Sequence, residues 1–292
     1  MIDLDLEVAE AGARAVGAPA WGNNSSEVVR FSDVEAIVIA TPNSSHEQVT
    51  KEAVDFGKHV FLEAPLALRF PDALQIETQA NQAGVVVTIN FWARASQGIQ
   101  LIRRRIPHPT LIQIEAIINP LTGVWPGEAK HGGILAYNGS HAFDLACYLA
   151  GSRPLHVQAT GGRHTRRAAL VDTVAATIRF ANGSLARVIV GEYGTSSNFS
   201  DWRVFATDGI VSATAKDNLL TATSYTHTNT DATTSASEVA PHQAHRESLL
   251  AYIEAVAGLR RPLANIGDGV RAVQMADSVY EAIASRERVE LS

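Results

Sequence analysis

From Leu6 to Val16 small and apolar residues return at helical spacing, and Gly17 stands where such a helix would end. Residues 36–40, AIVIA, form a continuous apolar run of the kind a strand carries when both faces of a parallel sheet are covered. The run breaks at Thr41-Pro42-Asn43. Helical spacing from Ser45 to Phe56 and a stop at Gly57 lead to a second short strand, His59 to Leu62, which ends in Glu63-Ala64-Pro65. Pro71 to Ala83 predicts another helix, closed by Gly84, with the strand Val85 to Ile89 behind it. Strands alternating with helices predict a parallel, doubly wound sheet.

Past Trp92 the rhythm changes. Strand patterns cover Leu111 to Ile118, His156 to Thr160, Val171 to Phe180, Leu185 to Glu192 and Trp202 to Ala206, and such a succession predicts an antiparallel sheet. Between the first two lies a helical stretch, His141 to Leu149, preceded by Gly132-Gly133-Ile134-Leu135. Thr221 to Ser237, rich in Thr and Ser, suits an exposed edge strand and loop. Two helical patterns, His245 to Ala257 and Gly267 to Ala284, close the chain with Pro262 between them. No internal repeat is visible.

Composition narrows the function classes. With 292 residues, 46% hydrophobic and 18% charged, the chain is ordinary globular material, long enough for one domain or two. A formal charge of -6 leaves no basic surplus for nucleic acid, and the clusters Arg103-Arg104-Arg105 and Arg166-Arg167 are too short for a phosphate-binding footprint. A small molecule is the expected partner. Cys147 is the single cysteine, flanked by Ala146 and Tyr148, which suits a buried thiol in a reducing cytoplasm. No apolar run reaches bilayer length, and Met1-Ile2-Asp3-Leu4-Asp5 has no signal-peptide character, so neither a membrane nor export is expected.

Five segments then carry a resemblance: ATPNSSH (Ala40 to His46), GKHVFLEAPLAL (Gly57 to Leu68), FWAR (Phe91 to Arg94), GGILAYNGSHAFDL (Gly132 to Leu145) and the closing stretch from Arg260 to Ile283. In order and spacing they resemble the Gfo/Idh/MocA oxidoreductases along essentially the whole chain. The resemblance implies an α/β fold: a Rossmann-like parallel-sheet domain, here incomplete, over residues 1–92, and an α+β domain with an open, mainly antiparallel sheet over 93–292. The closing helices would be free to pack back on the first domain. It also implies NAD or NADP as cofactor, sugar-like or polyol substrates, and a homo-oligomer, dimer or tetramer.

The sequence departs from the family pattern at three places. It has no G-x-G-x-x-G turn to hold a pyrophosphate. Ile2 to Asp5 matches the end of the family's second strand, with Asp3 as the acid for the ribose hydroxyls, so the central strand of the sheet is missing. Either the amino-terminal part is rebuilt, with weak NAD(P) binding or none, or the natural protein extends upstream and binds NAD(P). The family's E-K-P reads Glu63-Ala64-Pro65, and alanine cannot shuttle a proton. The aspartate of the family's D-x-G-x-x-x-H pattern is replaced by Tyr137, while His141 is retained.

The candidate catalytic groups are therefore His141, Tyr137 and Asp144. On a helix Asp144 stands three residues from His141 and could orient its imidazole. Asp3, Thr41, Pro42, Asn43, His46 and Glu63 match cofactor-side positions, and Arg94, an anion anchor, Trp92 and Lys130 are the substrate candidates. Each has a plainer role: His141 as a structural histidine, Tyr137 as filler for space left by lysine and aspartate, Asp144 as a holder of a backbone amide, Arg94 as a surface cation, Lys130-His131 as a solvated turn, Asn43 and His46 as helix caps. His242 and His245 have metal-compatible spacing without further ligands nearby, so no metal is expected. Three functions remain: an enzyme working by acid–base chemistry with classical hydride transfer lost, such as a lyase, isomerase or cyclase; an NAD(P)-dependent oxidoreductase with Tyr137 and His141 in proton transfer; and a non-catalytic binding or regulatory protein.

Overall fold

The structure is a computed structural model and describes residues 1–119, 128–164, 170–194, 200–216, 221–226, 229–236 and 242–291. Arg166-Arg167 and parts of the Thr- and Ser-rich segment lie outside these residues.

The first half builds a three-stranded parallel sheet in the order β1 (Ala36–Ile39), β2 (His59–Leu62), β3 (Val87–Ile89). Ile39 pairs with Leu62 and Leu62 with Ile89, so the carboxyl ends of all three strands lie together. The helices α3 (Asn43–Asp55) and α4 (Phe70–Ala83) run between them, α4 closing on Gly84 in the left-handed conformation. Ile39, Val60, Leu62, Ile76 and Ile89 form the core of this half.

Two expectations for this half are corrected. The apolar run at 36–40 is not covered on both faces: β1 pairs only with β2, and its Val38 is 59% exposed. Nor does Ile2 to Asp5 extend the sheet. Ile2 makes an isolated parallel bridge to Gly22, and the chain turns at once into α1 (Leu6–Val16), whose first amides are capped by the Asp5 carboxylate. A one-turn helix, α2 (Ser25–Val28), precedes β1.

After β3 a 3-10 turn, Trp92–Ala95, leads into α5 (Gln97–Arg105), a helix the periodicity did not disclose, whose last turn carries the three arginines. The second half is a nine-stranded sheet. Its strands are β4 (Leu111–Ile118), β5 (Pro154–Gly162), β6 (Thr173–Phe180), β7 (Leu185–Gly191), β8 (Ser200–Thr207), β9 (Val211–Lys216), β10 (Thr221–Thr226), β11 (Asn229–Ala236) and β12 (Val289–Glu290), ordered β11-β10-β9-β8-β4-β7-β6-β5-β12. Pairing is antiparallel except between β4 and β7. Strict alternation in β4 and β6 buries one face and opens the other. The buried face packs on Ile99 and Ile102 of α5 and on Phe143 and Leu145 of α6 (Ser140–Ala150).

The chain ends with α7 (Gln243–Val256) and α8 (Ile266–Ser285). α8 joins the halves: its Val270 and Val273 belong to the core of the first, and its Met275 and Val279 to that of the second. Its start is fixed by a reciprocal capping pair, Asn265 with Asp268.

Candidate active site

The carboxyl ends of β1 and β2 face the start of α6 across a cavity of about 310 Å³. Ala40, Thr41, Asn43, His46, Glu63 and Ala64 line it from the first half; Trp92, Ile118, Tyr137, Asn138, His141, Trp202 and His245 close it from the second. This is where ligands enter open α/β sheets, beyond the ends of the strands.

The second-half wall depends on a local irregularity. Leu135–Gly139 is a π-turn running directly into α6, a form concentrated at functional sites because the extra residue per turn re-aims side chains. Tyr137 lies in this turn and His141 one helical step later, and both reach the cavity. Asn138 is tied to the β4 backbone, donating Nδ2 to the Ala116 carbonyl at 3.1 Å. The His141 ring meets Phe91 edge-on at 5.6 Å and Trp92 at 6.3 Å, and its Nδ1 is buried without a hydrogen-bond partner. Burial, with a smaller push from His245, lowers the His141 pKa to about 4. At neutral pH the ring is therefore uncharged and has a free lone pair. Tyr137 is shifted the other way, raised by burial and by the charge of Glu63, so its hydroxyl keeps its proton.

The first-half wall is held by backbone contacts. His46 spans two loops, with Nδ1 2.7 Å from the Pro65 carbonyl and Nε2 2.8 Å from the Thr41 carbonyl. Burial keeps its pKa below the ordinary value although both carbonyls favour the charged ring. Asn43 donates Nδ2 to the His131 carbonyl at 3.1 Å, and Pro42 is the residue from which α3 starts. Neither Asn43 nor His46 acts as a side-chain cap, because both side chains link loops instead. Glu63 accepts from Asn90 Nδ2 at 2.8 Å, and burial raises its pKa.

Five sequence candidates do not line the cavity: Pro42, where α3 begins, and Arg94, Asp144, Lys130 and Asp3. Arg94 is buried, and its guanidinium is engaged by Asp144 through two bonds, by the Leu263 carbonyl at 2.7 Å and by Asp268 at 3.1 Å, so it is neither an anion anchor nor a surface cation. Asp144 for the same reason binds Arg94 and does not orient His141. Its own burial pushes its pKa up to about 6 against the pull of Arg94, which leaves it ionised at neutral pH. Lys130 is a solvated turn residue paired with Glu128 at 2.9 Å. Asp3 is exposed, and its carboxylate accepts from the Asp5 amide at 3.0 Å.

Sequence reasoning missed Trp202, Asn138 and His245 as cavity residues. Trp202 meets Trp92 edge-to-face at 6.0 Å, and His245 stacks on Trp92 at 5.3 Å. Only Asn138 carried a sequence signal, lying within the segment that holds Tyr137 and His141. His242 and His245 have ring centres 6.1 Å apart, and no group of three or more metal-binding side chains occurs among the described residues.

Thr41, Asn43 and Glu63 border the cavity as the cofactor-side residues of the resemblance would. The described residues offer no pyrophosphate cradle: the amino terminus of α1 is already capped by Asp5 and carries Glu7 in its first turn, acids where a phosphate needs donors.

A Rossmann-like sheet, an open second sheet and a polar cavity between them define a two-part α/β fold. The family description "Oxidoreductase family, NAD-binding Rossmann fold" matches residues 1–91 and "GFO/IDH/MocA C-terminal domain" matches 118–212, and the chain belongs to the Gfo/Idh/MocA family. It is 29% identical over 158 residues to scyllo-inositol 2-dehydrogenase (NAD(+)) of Bacillus subtilis, a match over 52% of this chain and 46% of that protein. It is 25% identical over 180 residues to 2,7-anhydro-N-acetylneuraminate hydratase of Escherichia coli, covering 58% of this chain and 48% of the relative. The matched stretches thus span about half of either relative. In fold it is similar to levoglucosan dehydrogenase solved with NADH and levoglucosan, with a TM-score of 0.92 and 18% identity over 100% of this chain and 89% of that one. Among the described residues no helix is long and apolar enough to cross a membrane.

Proposed function

We propose that this protein is an enzyme acting on a small, sugar-like polyol by acid–base chemistry in the cavity between the two sheets. One observation carries the reading: a neutral His141, its Nδ1 unpartnered, lines the same cavity as the protonated Tyr137 four residues earlier. Two groups whose pKa values are driven apart by their surroundings supply a base and an acid at one pH. In this reading the substrate presents a carbonyl: His141 withdraws the proton from the carbon next to it, the C–H electron pair forms the enediol double bond, Tyr137 gives its proton to the carbonyl oxygen, and Trp92 and Trp202 pack on the ring. Glu63, held by Asn90, binds a polar group of the ligand. The two proton transfers use groups of the chain alone. A relative named as a hydratase, a reaction with no net change of oxidation level, is in keeping with this reading.

The test uses a substrate found by screening sugars and cyclitols. His141→Ala and Tyr137→Phe are each expected to lower kcat by about 10²-fold or more with melting temperature nearly unchanged. Unchanged turnover in both variants contradicts the proposal.

A second reading, NAD(P)-dependent oxidation of a polyol, is favoured by the position of Thr41, Asn43 and Glu63 at the cavity edge. Calorimetric titration with NAD and NADP separates the two. Tight binding coupled to alcohol oxidation by this chain supports the second; turnover without nicotinamide supports the first.

A further inference from the structure

The charge of the cavity is unbalanced. Among its described lining residues Glu63 is the single carboxylate, and there is neither lysine nor arginine. Glu63 has one hydrogen-bond partner, the neutral Asn90 amide at 2.8 Å, and the Oδ1 of that same amide is buried without a partner of its own. The arginine of this region, Arg94, is already neutralised by Asp144 and Asp268. The remaining titratable groups facing the space are His46, His141, His245 and Tyr137. The three histidines are lowered by burial and the tyrosine is raised by it, so none brings positive charge at neutral pH. Trp92 and Trp202 line the same cavity, and aromatic faces attract cations.

A carboxylate withdrawn from water is costly unless a cation or several donors meet it. Among the described residues one amide, that of Asn90, meets it. We infer that the ligand supplies the cation: the site takes amine-bearing ring polyols, amino sugars or aminocyclitols, ahead of their neutral analogues, and rejects carboxylated or phosphorylated ones, with Glu63 setting the selectivity. The inference deepens the polyol reading above and rests on it. An ammonium between Glu63 and the tryptophan faces gains a charge-assisted hydrogen bond and a cation–π contact, whereas an anion meets like charge and no donor cation.

Calorimetry on the full chain near neutral pH, with D-glucosamine, D-glucose and D-glucuronate as probes, tests it. D-Glucosamine is expected to bind about ten-fold or more tightly than D-glucose, with D-glucuronate weakest. Glu63→Gln, which keeps the shape and removes the charge, is expected to erase the preference for D-glucosamine over D-glucose, and a preference of about ten-fold kept in that variant overturns the role given to Glu63. Should that variant fail to fold, the ranking in the unaltered protein decides, together with salt, which should weaken D-glucosamine binding and leave D-glucose unaffected. D-Glucose or D-glucuronate equal to or tighter than D-glucosamine overturns the inference and leaves the polyol reading standing. Binding of none of the three overturns both.

Discussion

At the scale of residues, His141 is the group to which the proposed function gives the chemistry, and its environment makes a measurable claim about stability. Its folded pKa of about 4 lies below the ordinary 6.5 because burial disfavours the charged ring. The unfolded chain therefore binds more protons between those values, so stability falls as pH drops through this window. His141→Gln removes that contribution. Between pH 7 and 4 the unaltered protein should lose up to about 3 kcal/mol more than the variant, and less to the extent that the cavity admits water. Denaturant melts at a series of pH values read the difference, and parallel curves would contradict the assigned environment. His141 and Tyr137 were legible because one motif holds both. The partners of Arg94 and Asp144 were not, since three-residue spacing shows which side chains share a helix face but not that Arg94, 50 positions earlier, arrives to take the carboxylate.

Among elements, α8 decides how the two halves sit around the cavity. It places Asp268 on Arg94 and runs so close to β3 that a Cβ on Gly269 would lie 2.7 Å from Ile89 Cγ1. Gly269→Val should overpack this contact and cost about 1–3 kcal/mol. Arg94→Met should cost about 3–5 kcal/mol by stranding the buried Asp144 carboxylate and removing one partner of Asp268. Thermal unfolding checks both, and a melting temperature unchanged in either variant would refute the role given to the helix. The 3.6-residue pattern announced α8 within a residue or two at each end. It said nothing of the π-turn at 135–139, because a single extra residue per turn leaves no mark on hydrophobic periodicity. α5 escaped for a related reason: three consecutive arginines mask its apolar Ile99, Leu101 and Ile102.

For the molecule as a whole, alternating helices and short apolar strands announced the parallel sheet, and long alternating strands announced the antiparallel one, because burial on two faces or on one writes different patterns. What the pattern could not convey was the exposed side of β1 or the width of the second sheet, since strand pairing is a property of distant segments. The cavity exists only where the two halves meet, so its membership, Trp202 and His245 above all, follows from assembly. The claim that this junction performs proton transfer on a ring polyol is tested most directly by solvent exchange. Sugars, amino sugars and keto-cyclitols are incubated with the protein in D2O without nicotinamide, and ring C–H signals are followed by proton NMR. Deuterium entry or conversion of at least one amine-bearing ring, slowed about 10²-fold or more by His141→Ala, is the predicted result; exchange at the same rate with the variant, or none with any ring, would contradict the account.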